Sequence, residues 1–129
     1  MKRYIGLKII QGEPQGKDAG KDIAQDGYNV IYEDGYESWS PSAAFDKAYR
    51  EIGAGLPFSI VLECMKRDGE SAWRREGWNA SGMWIKLQRP DEHSKMDLPY
   101  FYIYTSSFQL VPWVPSVTDL IADDWFEVS

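Results

Sequence analysis

Residues 58–67 constrain the fold of this chain more than any other segment. Placed at 100° per residue, Phe58, Val61, Leu62 and Met65 point near one direction, and Ile60 and Cys64 widen the apolar arc to about 200°. An ordinary surface helix carries a stripe of only about 100°. This helix is therefore expected to pack on two sides, and in a chain of 129 residues the second side is open to another subunit. Asp68-Gly69 ends it, with Gly69 able to take the left-handed capping conformation. The chain then turns β-rich over residues 71–75, 83–88, 100–105 and 108–113, broken by a turn at 77–82, a polar loop at 89–97 and Ser106-Ser107. Ser116-Val117-Thr118-Asp119 has the form of a capping box that opens a short helical turn, and residues 125–128 make a last strand.

The N-terminal half reads as a separate extension. Residues 4–10 predict a strand and residues 11–26 a polar loop. Asp34-Gly35 between the runs 28–33 and 36–39 predicts a hairpin closed by a tight type I′ turn. Ser40 as N-cap and Pro41 at the first helical position then open a short helix with Phe45, Ala48, Tyr49 and Ile52 on one face. Two glycines and a proline over residues 53–57 form a joint. The expectation is an α+β fold, a small antiparallel sheet with two to three short helices. A β-hairpin–helix extension over residues 1–53 precedes the domain at 57–129.

Chemistry concentrates in residues 73–84, where Trp73, Trp78 and Trp84 alternate with Arg74, Arg75 and small turn residues. Indole faces stack on bases at about 1–3 kcal/mol each, and the arginine fork pairs with phosphate in two parallel hydrogen bonds. That mixture suits a flat, anionic, nucleotide-like ligand. Catalytic parts are few. His93 lies alone in a solvated polar loop, and Cys64 is a single cysteine in an apolar segment, which leaves neither a disulfide nor a zinc pattern. Asp123 and Asp124 oppose the dipole of the preceding helical turn and point either to a ligand or subunit contact or to pairing with Arg74 or Arg75.

The formal charge of −6 is spread over both halves without a basic stripe, so binding to a DNA or RNA backbone is not expected. A small anion needs only a local positive spot. No run reaches the ~18 apolar residues of a membrane span, and the basic start lacks a signal-peptide core, so the expected location is the host cytoplasm.

Two blocks carry a family resemblance. The first runs from the helix at 58–69 into Arg75-Glu76-Gly77-Trp78-Asn79; the second is Leu110-Val111-Pro112-Trp113-Val114-Pro115-Ser116-Val117-Thr118-Asp119, followed by Asp124-Trp125. In this order they resemble the phage-encoded Thoeris anti-defence family, second type. Many relatives have Gly-Lys-Gly after the Trp-Asn pair, where this chain has Ala80-Ser81-Gly82. The resemblance implies a sponge: a protein that binds a cyclic nucleotide immune signal, glycocyclic ADP-ribose, and in some relatives cyclic dinucleotides, without degrading it. It implies no catalytic residue, cofactor or metal. For such a ligand, Trp78 and Trp113 are the candidates for base stacking, Arg75 and Arg74 for phosphate, and Asn79, Ser116, Thr118 and Asp119 for amide, hydroxyl and ribose contacts. Trp84, Trp125, Phe101 and Phe108 are assigned to the core, and Tyr100, Tyr102 and Tyr104 to one face of a strand, as interface or pocket.

Sequestration demands tight binding, and nanomolar affinity is about −12 kcal/mol. Enclosing a dinucleotide-sized ligand that well favours pockets between subunits. With the wide arc of the 58–67 helix and the homo-oligomers known in the family, this predicts a tetramer built from dimers. A second reading is inhibition of a host enzyme by protein–protein contact through exposed tryptophans. A third, a nucleotide-processing enzyme, is disfavoured by the sparse acid–base inventory.

Overall fold

The computed structural model describes residues 1–18 and 24–128. The chain divides into two compact units, Met1–Arg50 and Glu51–Ser129. Among the described residues the fold is α+β, with antiparallel sheets and three helices, as the sequence predicts.

In the first unit, β1 (Gln11–Pro14), β4 (Gly27–Ile31) and β5 (Glu37–Pro41) form an antiparallel sheet in the order β1-β4-β5, and β2 (Lys17–Asp18) pairs with β3 (Ala24–Gln25). The predicted strand over residues 4–10 is not formed; the strand falls at β1, inside the expected polar loop, of which residues 19–23 lie outside the described residues. The register explains the shift. Gln11 pairs with Ile31, the last residue of β4, so the hairpin offers no strand opposite the residues before Gln11.

The β4–β5 hairpin is present, but its turn is not type I′. Gly35 N–H donates to Tyr32 O (2.9 Å), Tyr32 N–H donates to Tyr36 O (2.9 Å), and only Gly35 in the loop has positive φ. This is a three-residue loop in which Gly35 takes the bulge position. The helix α1 (Ser42–Ala48) also starts later than expected: Pro41 stays in β5 and occupies the cap position without a side-chain cap, and Ile52 lies beyond the helix. Phe45 stacks on Tyr28 at 4.0 Å, and Val30 is buried.

The second unit holds the main core. A five-stranded antiparallel sheet runs β10-β6-β7-β8-β9, comprising β6 (Ala72–Arg75), β7 (Trp84–Gln88), β8 (Tyr100–Tyr104), β9 (Leu110–Pro112) and β10 (Trp125–Val128). The helix α2 (Phe58–Asp68) ends, as predicted, at Gly69, whose φ is 70° and whose N–H donates to Met65 O. Phe58, Val61, Cys64 and Met65 are buried with Leu56, Trp73, Ile85 and Trp125, and Ile60 and Leu62 pack at the margin. Burial pushes the Cys64 thiol pKa up, in keeping with an apolar role. The short helix α3 (Val117–Ile121) packs against α2.

The joint at 53–57 belongs to this unit rather than bridging freely. Leu56 exchanges both backbone hydrogen bonds with Trp125 (3.0 and 3.1 Å), and Glu127 N–H donates to Gly53 O, so the segment covers the edge of β10. At the opposite edge, Trp113 N–H donates inward to Phe101 O and Thr105 N–H to Gln109 O, which leaves Pro112 on the outward register, without a donor.

The β8–β9 hairpin repeats the β4–β5 loop geometry with one substitution. Phe108 N–H donates to Thr105 O, and Phe108 takes the glycine position at φ 62°, the only non-glycine among the described residues with positive φ. Phe108 is 79% exposed, contrary to the core role expected for it. Bulky residues in this conformation carry strain of about 1–3 kcal/mol. Replacing Phe108 with glycine removes the strain and buried contacts are few, while added freedom of the unfolded chain takes back about 0.5–1 kcal/mol. The expected outcome in urea unfolding is a gain of about 1 kcal/mol; a loss of stability would show that the ring makes contacts worth more than its backbone strain.

Candidate functional site

Strand alternation divides the two adjacent arginines. Trp73 pairs with Ile85 and Trp125 with Arg75, which places Arg75 on the covered face of the sheet. Arg74 pairs with Phe126 and points to the other face with Trp84, Lys86, Tyr102 and Tyr104.

On the covered face, one acid organises the surroundings. Asp119 is the third residue of α3, and its box with Ser116 is complete: Asp119 N–H donates to Ser116 Oγ (3.0 Å), and Ser116 N–H donates to Asp119 Oδ2 (3.1 Å). The other carboxylate oxygen, Oδ1, accepts from Arg75 Nη1 (3.1 Å) and from Trp78 Nε1 (3.1 Å), and the backbone oxygen accepts from Trp125 Nε1 (2.9 Å). Burial alone would raise the Asp119 pKa, but the hydrogen bonds from Trp78, Ser116 and Arg75 outweigh it and hold the carboxyl below its ordinary range.

Arg75 is bound on its other side by Asp124. Nε donates to Oδ1 (2.8 Å), Nη2 to Oδ2 (3.3 Å), and the Gly77 N–H adds a third donor to Oδ2 (2.9 Å). Arg75 lowers the Asp124 pKa against partial burial, with help from Gly77, and Asp124 in turn raises that of Arg75. A Cβ at Gly77 would stand 2.8 Å from Asp124 Oδ2, so glycine lets the carboxylate sit against the turn in this position.

The three indoles of the aromatic wall come from three segments. Trp78 lies edge-on to Trp125 (5.3 Å) and to Trp113 (6.4 Å), and Trp113 packs against Phe58 and Phe101. Trp125 is fully buried, whereas Trp78 and Trp113 keep part of their surface in solvent.

Arg75, Trp78, Trp113, Ser116 and Asp119 thus converge, with Asn79 and Thr118 exposed beside them. Arg74 does not join them. Its Nη1 and Nη2 donate to Met83 O (3.3 Å) and Ala80 O (3.2 Å), and its guanidinium lies over Phe126. Trp84 is likewise on the far face, stacked on Tyr104 at 5.2 Å rather than in the core. Asp124, one of the two acids left open between contact and pairing, pairs with Arg75, and Asp123 is exposed. Asp124 and Gly77 were missing from the predicted set, although both stand in the motif segments. His93 is exposed, 3.3 Å from Glu92. Among the described residues no helix is long and apolar enough to cross a membrane.

Comparison with known proteins gives a consistent result. Residues 56–128 match the Thoeris anti-defense 2-like domain. The chain is also similar to Thoeris anti-defense 2 of Bacillus phage SP01, 31% identical over 87 residues that cover 57% of this chain and 96% of the relative.

Asp119 sets the expected acid response. Because the folded pKa values of Asp119 and Asp124 are lowered, their stabilisation is fully present above the unfolded carboxylate value of about 4 and is lost as pH falls through it toward the folded values. Asp119→Asn is expected to cost about 2–3 kcal/mol in urea unfolding at pH 7 and to flatten the acid limb below pH 4. An unchanged acid limb would remove Asp119 as the organising group.

Proposed function

The chain belongs to the Thoeris anti-defense 2-like family, and from that premise we propose that it is a phage or prophage anti-defence protein that binds a cyclic nucleotide immune signal in the host cytoplasm and holds it intact. The signal is glycocyclic ADP-ribose or a cyclic dinucleotide. The observation that carries the reading is the convergence of two half-buried indoles, Trp78 and Trp113, with the Arg75–Asp119–Asp124 network inside the family-matching segment. Indole faces supply sequence-tolerant stacking for a base, and the exposed Asn79 and Thr118 offer polar groups for ribose.

The same network favours holding over turnover. A general acid or base needs a pKa near the working pH, whereas Asp119 and Asp124 are pushed the other way and are engaged as acceptors. The reading therefore assigns no catalytic residue, cofactor or metal.

Enclosure of the ligand points to a homo-oligomer, a tetramer built from dimers. Support comes from the sheet face opposite α2, which presents Trp84, Tyr102, Tyr104, Leu110 and Phe126 from neighbouring strands. With one sheet edge covered by Leu56 and the other blunted by Pro112, a second copy of the chain fits that face rather than an edge. Sedimentation is expected to give a mass four times 14.8 kDa, and Tyr104→Asp a smaller species. A monomeric wild type would exclude the assembly.

Binding is tested by thermal unfolding against glycocyclic ADP-ribose isomers, cyclic ADP-ribose, ADP-ribose, NAD and cyclic dinucleotides. Cyclic members alone should stabilise the protein, by about 4 kcal/mol at a thousand times Kd, with the ligand recovered intact after heating. Trp78→Ala should weaken the response by tenfold or more. No response to any member would overturn the reading in favour of a protein-directed inhibitor.

A further inference from the structure

The three donors around Asp124 make a site of their own. Arg75 Nε and Nη2 and the Gly77 N–H converge on the two oxygens of one carboxylate at 2.8, 3.3 and 2.9 Å. A bidentate arginine fork joined by a backbone N–H is equally suited to two oxygens of a phosphate. We propose that this cradle is a phosphate subsite whose resident occupant is the chain's own Asp124 carboxylate, and that the ligand binds by displacing it. The proposal deepens the sponge reading and rests on it for the identity of the ligand.

The two acids on Arg75 differ in a way that fits this division. Asp119 has a side chain only 12% exposed and is held by Ser116, Trp78 and Arg75 together, so moving it would dismantle the α3 cap. Asp124 is 29% exposed, and its side chain is held by the cradle donors and its own backbone N–H. Its backbone is anchored separately, because Asp124 O accepts from Glu76 N–H at 3.0 Å. The carboxylate can therefore swing to solvent while the chain stays in place.

Gly77 supplies the second observation. A Cβ there would meet Asp124 Oδ2 at 2.8 Å and Arg75 Nη2 at 3.1 Å, so the turn lacks a side chain at the point where an anion approaches. Trp78, the next residue, has its indole fixed by Asp119 and stands ready for the base of a molecule whose phosphate fills the cradle.

Charge then sets the consequence. With Asp124 in place the one guanidinium faces two carboxylates, and an incoming phosphate must compete with a tethered anion. Asp124 thus limits affinity and selects against anions too weak to displace it.

The test uses the full chain and inorganic pyrophosphate as probe in isothermal titration calorimetry. Asp124→Ala is expected to bind pyrophosphate at least tenfold more tightly than wild type, Asp124→Asn to gain as well, and Arg75→Ala combined with Asp124→Ala to lose the gain. A folded Asp124→Ala with no gain overturns the proposal. Should both Asp124 variants fail to fold, wild type at millimolar pyrophosphate decides by NMR: shifts of the Arg75 Nε and Gly77 N–H resonances support the cradle, and their absence overturns it. Pyrophosphate has neither base nor ring. A gain in Asp124→Ala without any response to cyclic nucleotides would therefore sink the sponge and keep the cradle, whereas the converse would sink only the cradle.

Discussion

The second unit depends on Asp119 more than on any other residue. One carboxylate and one carbonyl take hydrogen bonds from Arg75 in β6, Trp78 in the following turn, Ser116 at the start of α3 and Trp125 in β10. A buried charge without such partners would be costly; satisfied as it is here, it fixes which way each indole lies. Trp78 and Trp125 make large apolar contacts, but apolar burial alone is indifferent to orientation. The polar tips, drawn to one acid, turn an oily cluster into a surface of definite shape.

Much of the second unit could be read along the chain because its signals are local. The capping box at Ser116 and Asp119, the glycine stop at Gly69 and the β-rich runs each depend on neighbours within a few residues, and each formed close to where it was expected. The first unit yielded less because strand register depends on the partner. Residues 4–10 have the composition of a strand, yet β4 stops at Ile31 and offers nothing beyond. The Asp34-Gly35 dipeptide places the turn but not its type, since it fits both a two-residue loop and the end of a three-residue one. Phe108 gave no warning, because nothing in its neighbours announces a left-handed backbone.

The candidate site shows the same division. Trp78, Trp113, Ser116 and Asp119 can be named from residue type and motif, whereas the sequence leaves Asp123 and Asp124 open between a contact and pairing with Arg74 or Arg75; the choice of Asp124 for Arg75, 49 positions away, follows only from the pairing of β10 with β6. The alternation of the strand separates Arg74 from Arg75, although residue type makes both candidates for a phosphate. Their chemistry is identical and their roles are not, because one faces the acids of α3 and β10 while the other faces the backbone of the turn.

That separation has a physical result for the turn between Gly77 and Gly82. Arg75 and Gly77 tie its beginning to Asp124, and Arg74 ties its end from the opposite face through Ala80 O and Met83 O. A turn containing two glycines and a serine would otherwise sample many conformations, and a ligand stacking on Trp78 would bear the cost of ordering it. Two arginines clamping from opposite faces meet that cost during folding. The Trp78 indole, tied to Asp119, is then held in one arrangement by the fold itself.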